Sequence, residues 1–347
     1  MQICYKKLLL EFIVDIVFSL INLYFWINKK ISKEKIKKFL FHHHKKNFTP
    51  NMGGVPILIS LIPSLLIYNS WYVNLLLIGN FTIGLIDDLL KNKKNLSNNY
   101  KMIMWCLFNI FVMYIYKIFN NSIICLPFGY YGDLGYMYIL FTSVFILLTI
   151  NAINITDGLD GLATFPVITN CMFFILISYL QNDYNILYVT LSFLGVLISF
   201  LFFNIFPAKI FMSDSGSLLL GSFIAISYIQ TKSEFFIFIV GSVFIINILT
   251  SFLQVTSLQF FKYKLFKIAP LHHYLEFLKF QESTIVFYGW LLSLFSLLIG
   301  VMGYLSYKSF LYESLWIINF LNYITIAFII FLVVLFILLK IKKNKKK

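Results

Sequence analysis

The chain has 347 residues, of which 60% are hydrophobic, 19% aromatic and only 12% charged. Soluble domains carry about twice that share of charged residues, so the polar side chains are too few to cover a water-exposed surface. Together with a mean hydropathy of +0.85, this composition indicates a polytopic membrane protein. It excludes a secreted disulfide scaffold, a disordered chain and a water-soluble nucleic-acid-binding protein, despite the net charge of +14.

Apolar stretches of near-membrane length recur along the whole chain, since a bilayer crossing needs about 20 residues. They predict an all-α, polytopic membrane helix bundle that forms a single integral domain over residues 1–347. Glu11 and Asp15 interrupt the first stretch and no cleavage site follows, so a first membrane helix is expected there rather than a signal peptide. The eleven stretches lie at 8–28, 53–69, 72–90, 102–119, 137–153, 162–180, 186–206, 217–231, 235–258, 285–306 and 316–339.

The basic residues are distributed unevenly between the two sets of loops. All 28 of them are lysine, and alternate threading of the spans places 23 on one side and five on the other. Because cytoplasmic loops are enriched in lysine and arginine, the richer side is predicted to be cytoplasmic, with the N-terminus outside. The positive charge is then mainly a topology signal and an attraction to anionic headgroups.

Two acidic or amide-rich motifs come first in the chain, each at the predicted cytoplasmic end of a span, where an ionisable group usually has a role. In GLIDDLLK, Asp87 and Asp88 suit a divalent cation or proton transfer, although two solvated acids at a helix end would look the same. In NAINITDGLDGLA, polar residues recur every three positions and so project from similar sides of a helix, with ordinary turn chemistry as the alternative. These residues are Asn151, Asn154, Asp157 and Asp160.

Two further motifs complete the polar set. In FNIFPAKIFMSDSGSLLLG, a helix start with small residues can offer N–H groups to phosphate, while Asp214 can either hold Mg²⁺ or cap that helix. KIAPLHHYLE predicts a helical turn that begins at a proline and carries His272 and His273. Adjacent histidines are more often ordinary surface or core residues than ligands.

Five segments, in their order along the chain, resemble the motifs of the phospho-N-acetylmuramoyl-pentapeptide transferase family. They are TPNMGG, GLIDDLLK, NAINITDGLDGLA, FMSDSGSLLLG and APLHHYLE. The resemblance covers about Lys45 to Glu276 and implies ten family helices. The wider superfamily, which transfers N-acetylhexosamine 1-phosphates to polyprenyl phosphates, shares the two acidic motifs and the late aspartate. The TPNMGG and APLHHYLE segments, with the FLQVTSLQFFKYKLFKIAP lead-in that contains Gln254, favour the muramoyl branch.

The resemblance implies a reaction and a set of partners. Phospho-MurNAc-pentapeptide would move from UDP-MurNAc-pentapeptide to undecaprenyl phosphate, giving lipid I and UMP for peptidoglycan synthesis, and hence for cell shape and division. Mg²⁺ would be the cofactor. The enzyme would lie in the inner (plasma) membrane of a bacterium with its active site on the cytoplasmic face, and family members are often homodimers.

The resemblance also assigns roles to residues. Asp214 would be the principal Mg²⁺ ligand, with Asp87 and Asp88 acting at the lipid phosphate and the metal. Direct attack of the lipid phosphate on the β-phosphorus is favoured because that phosphate is largely ionised near pH 7; an aspartyl-phosphate at Asp87 or Asp88 is the alternative. The other residues expected at the substrates are Lys46, Lys91, Asn151, Asn154, Asp157, Asn204, Phe211, Gln254, His272 and His273.

The chain departs from the family pattern at several positions. Phe48 and Asn51 stand where the family usually has Gly and Thr, Ser213 stands for a Gly, and Tyr274 replaces a third histidine. Residues 308–347, with an extra span and a lysine-rich tail, extend beyond the ten family helices.

Three alternatives stay open at this stage. A UDP-N-acetylglucosamine 1-phosphate transferase has the same motifs in outline. An ion-coupled transporter would use Asp87 and Asp88 as a relay, although transporter sites usually lie near mid-membrane. An inactive homologue would account for Ser213 and Tyr274.

Overall fold

The computed structural model describes residues 5–29, 49–90, 98–125 and 131–310, which form a bundle of long α-helices. This confirms the predicted all-α class. The predicted eleventh span and the tail lie outside the described residues. The helices are α1 Tyr5–Lys29, α2 Gly54–Tyr68, α3 Trp71–Leu90, α4 Asn98–Phe119, α5 Met137–Thr156, α6 Thr164–Gln181, α7 Tyr184–Asn204, α8 Ser213–Gln230, α9 Ile237–Val240, α10 Ser242–Phe261, α11 Leu271–Phe277 and α12 Glu282–Phe310.

Eight of the described helices are long and apolar enough to cross a membrane: α1, α3, α4, α5, α6, α7, α10 and α12. The apolar helix α2 is shorter, with 15 residues, and α8 is not one of the eight. This count supports a multi-pass membrane protein, which the composition predicted.

Helix α8 is the centre of the bundle. Every residue from Ser215 to Ile229 is buried, because α2, α3, α5 and α6 all pack around it. Its serines and glycines reduce its hydropathy, but they face protein rather than lipid. A helix that is enclosed by other helices does not need a lipid-compatible surface, and small residues allow its neighbours to approach closely.

The ninth predicted span is not one continuous helix. A 3-10 helix at Glu234–Phe236 leads into the short α9, and Gly241 separates α9 from α10 with a non-helical ψ of 18°. A side chain at Gly241 would lie 2.7 Å from the carbonyl oxygen of Ile237, so glycine is required for this break. The break could not be predicted from the sequence, because the apolar stretch is continuous and hydropathy does not depend on backbone geometry.

The bundle has two ends of different character. The site end contains 49–54, 86–90, 154–164, 204–214 and 262–284, where the predicted polar motifs lie. The hairpin end contains strands β1 (Ile123–Cys125) and β2 (Tyr131–Asp133), which pair antiparallel with Ile123 opposite Asp133. The hairpin was not predicted from the sequence, because strands of three residues have no detectable periodicity.

Candidate active site

The N-terminus of α8 is capped by a side chain from another helix. Asp88, near the end of α3, is 2% exposed. Its Oδ1 accepts a hydrogen bond from the backbone N–H of Asp214 (3.2 Å), and its Oδ2 accepts one from that of Ser215 (2.9 Å). A helix N-terminus carries partial positive charge, so it stabilises this buried carboxylate. Two N–H groups that the sequence suggested for phosphate are therefore bonded to Asp88.

The Asp214 carboxylate is oriented by the NITDG motif at the end of α5. Asn154 Nδ2 donates to Asp214 Oδ1 (2.9 Å) and also to Ser217 Oγ (2.8 Å), one turn further along α8. Asp214 lies in the first turn of α8 and is half-buried. The structure thus brings together three predicted site residues from three helices, namely Asp88, Asn154 and Asp214.

Glycines allow the neighbouring helices to reach this turn. A Cβ at Gly84 of α3 would lie 2.5 Å from the carbonyl oxygen of Asp214, and one at Gly54 of α2 would lie 2.3 Å from the backbone nitrogen of Gly216. Both distances are far inside van der Waals contact. The glycine of GLIDD and the second glycine of TPNMGG are therefore needed for packing around α8.

The TPNMGG segment is bonded to the loop that precedes α8. Phe211 N–H donates to Pro50 O, and Gly53 N–H donates back to Phe211 O, both at 2.9 Å. Ser213 has a left-handed φ of 60°, which explains why glycine suits this position. Its Oγ accepts from Met52 N–H at 3.2 Å, so the serine supplies a contact that glycine could not.

The DGLDG turn after α5 is tied to the loop after α7. Asp160 Oδ2 accepts from Ala208 N–H (3.0 Å). Asn204 Oδ1 accepts from Gly161 N–H (3.1 Å) and from Thr164 Oγ1 (2.8 Å), while its Nδ2 donates to Ile210 O (3.0 Å). Asn204 is buried, and its amide holds the two loops together.

Two residues of α12 also support this turn, and sequence reasoning missed both. Glu282 Oε1 accepts from Asp160 N–H (2.9 Å). Trp290 Nε1 donates to Gly161 O (2.9 Å), and its ring stacks on Phe165 with centroids 4.6 Å apart. An acid in the first turn of a helix usually indicates only a dipole contact, so nothing local in the sequence pointed to this role.

The two histidines of α11 have different surroundings. His272 is 2% exposed, and its Nδ1 lies 2.9 Å from Asn247 Oδ1 of α10. Burial, with a smaller contribution from His273, lowers the pKa of His272 to about 3. His273 is more exposed and pairs through Nδ1 with Glu276 Oε2 at 2.7 Å.

The remaining predicted residues are placed as follows. Asn151 is half-buried and donates to Leu147 O (2.9 Å). Gln254 Oε1 accepts from Phe266 N–H (2.8 Å) and so holds the loop before α11. Three more predicted residues, Asp87, Asp157 and Phe211, are half-buried at the site end. Lys46, Lys91 and the departure at Phe48 lie outside the described residues.

The donor set fits one mode of Mg²⁺ binding. No group of three or more His, Cys, Asp or Glu residues is gathered for a metal in the part of the chain that the structure describes. Magnesium is commonly held by one or two carboxylates together with substrate phosphates and water, rather than by an all-protein cage. A single oriented carboxylate such as Asp214 at an accessible helix start matches that mode.

The chain is similar in sequence to known proteins. The sequence profile of glycosyl transferase family 4 matches residues 70–232. Phospho-N-acetylmuramoyl-pentapeptide-transferases are similar to the chain over most of its length. The enzyme of Buchnera aphidicola subsp. Baizongia pistaciae is 32% identical, over 85% of this chain and 97% of the relative. That of Nitratiruptor sp. is 36% identical over 80% and 87%, and that of Wolbachia pipientis wMel is 35% identical over 82% and 94%. The chain therefore belongs to the phospho-N-acetylmuramoyl-pentapeptide transferase family.

Proposed function

We propose that the chain transfers phospho-MurNAc-pentapeptide from UDP-MurNAc-pentapeptide to undecaprenyl phosphate, producing lipid I and UMP. The observation that carries the proposal is the junction at the start of α8, where Asn154 orients Asp214 and Asp88 caps the helix. Phosphoryl transfer depends mainly on positioning and charge neutralisation. A rigidly held carboxylate beside a helix N-terminus meets the first of these requirements.

We assign the cofactor role to Mg²⁺ with Asp214 as its principal protein ligand. The ion would neutralise charge on the diphosphate of the sugar nucleotide. Asn154 would keep one Asp214 oxygen in a fixed direction, since the amide is itself anchored on Ser217. Lys46 and Lys91 would bind phosphates as point charges, because the sequence contains no arginine that could bind a phosphate with two parallel hydrogen bonds.

The contacts of Asp88 favour direct attack over a covalent intermediate on that residue. Both of its oxygens accept backbone N–H groups, so a bond to phosphorus would disrupt the start of α8. Asp87, which is half-buried next to it, would position the lipid phosphate or remove a residual proton. Asp88 would then act mainly by positioning the first turn of α8, which carries Asp214.

The substrates and the location follow from the same proposal. Asp157, Phe211, His273 and the loops held by Asn204 and Gln254 would shape the nucleotide side. Undecaprenyl phosphate would enter from the bilayer. The site end would face the cytoplasm of a bacterial plasma membrane, where lysine-rich loops are predicted, and a homodimer is a further expectation.

The proposal is tested with purified full-length protein in detergent, undecaprenyl phosphate and Mg²⁺, by following UMP release. UDP-MurNAc-pentapeptide should support release and UDP-GlcNAc should not. Asp214→Asn should abolish at least about 99% of the rate, because removal of one precisely placed electrostatic group typically costs two to three orders of magnitude. Chelation of Mg²⁺ should have the same effect.

A matched control is Asp183→Asn at the hairpin end. Asp183 caps α7 by accepting from Ile186 N–H, and asparagine can cap equally well, so activity should stay within about twofold. Release with UDP-GlcNAc only would assign the chain to N-acetylglucosamine 1-phosphate transfer. No release with either nucleotide from folded protein would contradict the proposal.

A further inference from the structure

A cavity of about 530 Å³ lies between α10, α11 and α12. Its lining is almost wholly apolar and includes Leu162, Ile285 and Phe295. The polar side chains among its lining residues include Asn247 and His272, which contact each other. A cationic imidazole would face low-dielectric surroundings here, and that disfavours the charged form.

The contacts of Asn247 determine the tautomer of His272. Asn247 Nδ2 donates to Val243 O at 2.9 Å, so its Oδ1 is the atom directed at His272 Nδ1, also at 2.9 Å. An amide oxygen can only accept a hydrogen bond. The proton of a neutral imidazole must therefore be on Nδ1, which leaves Nε2 as a bare acceptor.

The bare Nε2 faces the turn after α5. It is fully buried and has no hydrogen-bond partner among the described residues. A Cβ built at Gly158 would lie only 2.4 Å from it, so the imidazole rests directly against this glycine. Gly158 follows Asp157, the C-cap residue of α5, whose backbone N–H still bonds to Ile153 O at 3.0 Å.

We propose that Asn247 and His272 act together as positioning residues for the Asp157–Gly158 turn, with Asn247 holding His272 as the neutral Nδ1–H tautomer. The imidazole then sets the position of the turn by direct contact and contributes no positive charge to the phosphates. The kinetic tests of this inference rest on the proposed function, whereas the NMR test of the tautomer does not. It assigns a role to Asn247 and restricts the role of His272.

The tautomer is tested on the full chain in detergent by ¹⁵N NMR of protein labelled at its five histidines, with His272→Gln used for assignment. We expect one neutral Nδ1–H signal for His272 that does not change between pH 5 and 8. An Nε2–H tautomer, or titration near the ordinary pKa of about 6.5, would overturn the proposal. This result does not depend on which reaction the protein catalyses.

The positioning role is tested with Asn247→Asp. A carboxylate beside Nδ1 favours the imidazolium, which replaces the bare acceptor with an N–H donor against Gly158. We expect a His272 signal that titrates, and about a tenfold rise in KM for the sugar nucleotide with a smaller change in kcat. An unchanged KM in a variant whose His272 is protonated would overturn the proposal.

The matched control is Asn170→Asp. Asn170 is another buried amide that donates to a backbone carbonyl one turn away and accepts from a side chain, Tyr228 OH, but it contacts no predicted site residue. Its KM should stay within about twofold of the wild-type value. If wild-type protein releases no UMP, the proposed function fails while the NMR result still decides the tautomer.

A double-mutant cycle tests whether His272 and Gly158 are in direct contact. Gly158→Ala should raise KM at least about tenfold, because its methyl group collides with His272. In a His272→Ala background the same change should cost much less, since neighbours in contact are not additive. Fully additive effects would contradict the proposed contact.

Discussion

Two buried carboxylates at opposite ends of the bundle are held in different ways. Asp88 at the site end and Glu234 at the hairpin end are both 2% exposed. Asp88 accepts two backbone N–H groups at a helix N-terminus, whereas neither oxygen of Glu234 bonds to another residue in the described part of the chain. Burial raises the pKa of Glu234 to about 7, and this outweighs the lowering by a hydrogen bond to its own backbone and by the charge of Lys232.

The difference shows that burial alone does not decide what a carboxylate does. Asp88 accepts from two backbone N–H groups, so it can organise the first turn of α8 and the residues attached to that turn. Glu234 lies in the connection between α8 and α9, outside the membrane-spanning helices, and it resists ionisation. The site end thus uses a buried, hydrogen-bonded carboxylate to position Asp214, whereas at the hairpin end burial raises the pKa of Glu234.

The largest effect is expected for Asp88→Ala. It leaves two backbone N–H groups of α8 without an acceptor, and hydrogen bonds to charged groups are each worth about 1.5–3 kcal/mol. We expect a loss of about 4 kcal/mol in the free energy of unfolding, measured by denaturation in detergent, together with loss of UMP release. Asp88→Asn retains one acceptor and should lose about half as much. Equal stability of all three proteins would contradict the capping role.

A smaller effect of opposite sign is expected for Glu234→Gln. The pKa of Glu234 is raised in the folded state, from 4.5 to about 7, so its contribution to stability is complete below pH 4.5 and is lost as the pH rises through 7. The wild type should lose up to about 3 kcal/mol over this window. The variant should lack this loss and be more stable at pH 8. The exposed hairpin acid gives the control, Asp133→Asn, which should leave the wild-type loss in place.

The smallest effect concerns Ser213 at the site end. Ser213→Ala removes the acceptor for Met52 N–H and should cost about 1 kcal/mol. Ser213→Gly loses the same hydrogen bond but relieves a left-handed backbone, which is worth about 1 kcal/mol, so its stability should stay close to wild type. Thermal unfolding of both variants measures the difference. If Ser213→Gly is destabilised as much as Ser213→Ala, the left-handed backbone at Ser213 does not reduce the stability of the wild type.

Much of the site could be predicted because the motifs are local. The DD, NITDG and SDSG segments each lie at a helix end, and lysine counting placed those ends on one side of the predicted membrane. Asp88, Asn154 and Asp214 do meet at the start of α8. The division of labour among them was not predictable, because which carboxylate caps the helix depends on how α3 crosses α8 at Gly84.

The sequence by itself determined that this is an all-α membrane protein, since hydropathy and span length report directly on the solvent that surrounds a helix. Its motifs identified the family, and the comparisons confirmed it. Only the tertiary structure decided the remaining features: the burial of α8, the break at Gly241, the Asp88 cap and the contacts of Asn247 and Glu282. Each depends on atoms that are distant in the chain but close in space, and hydrogen-bond geometry and close packing of this kind leave no periodic trace in the sequence.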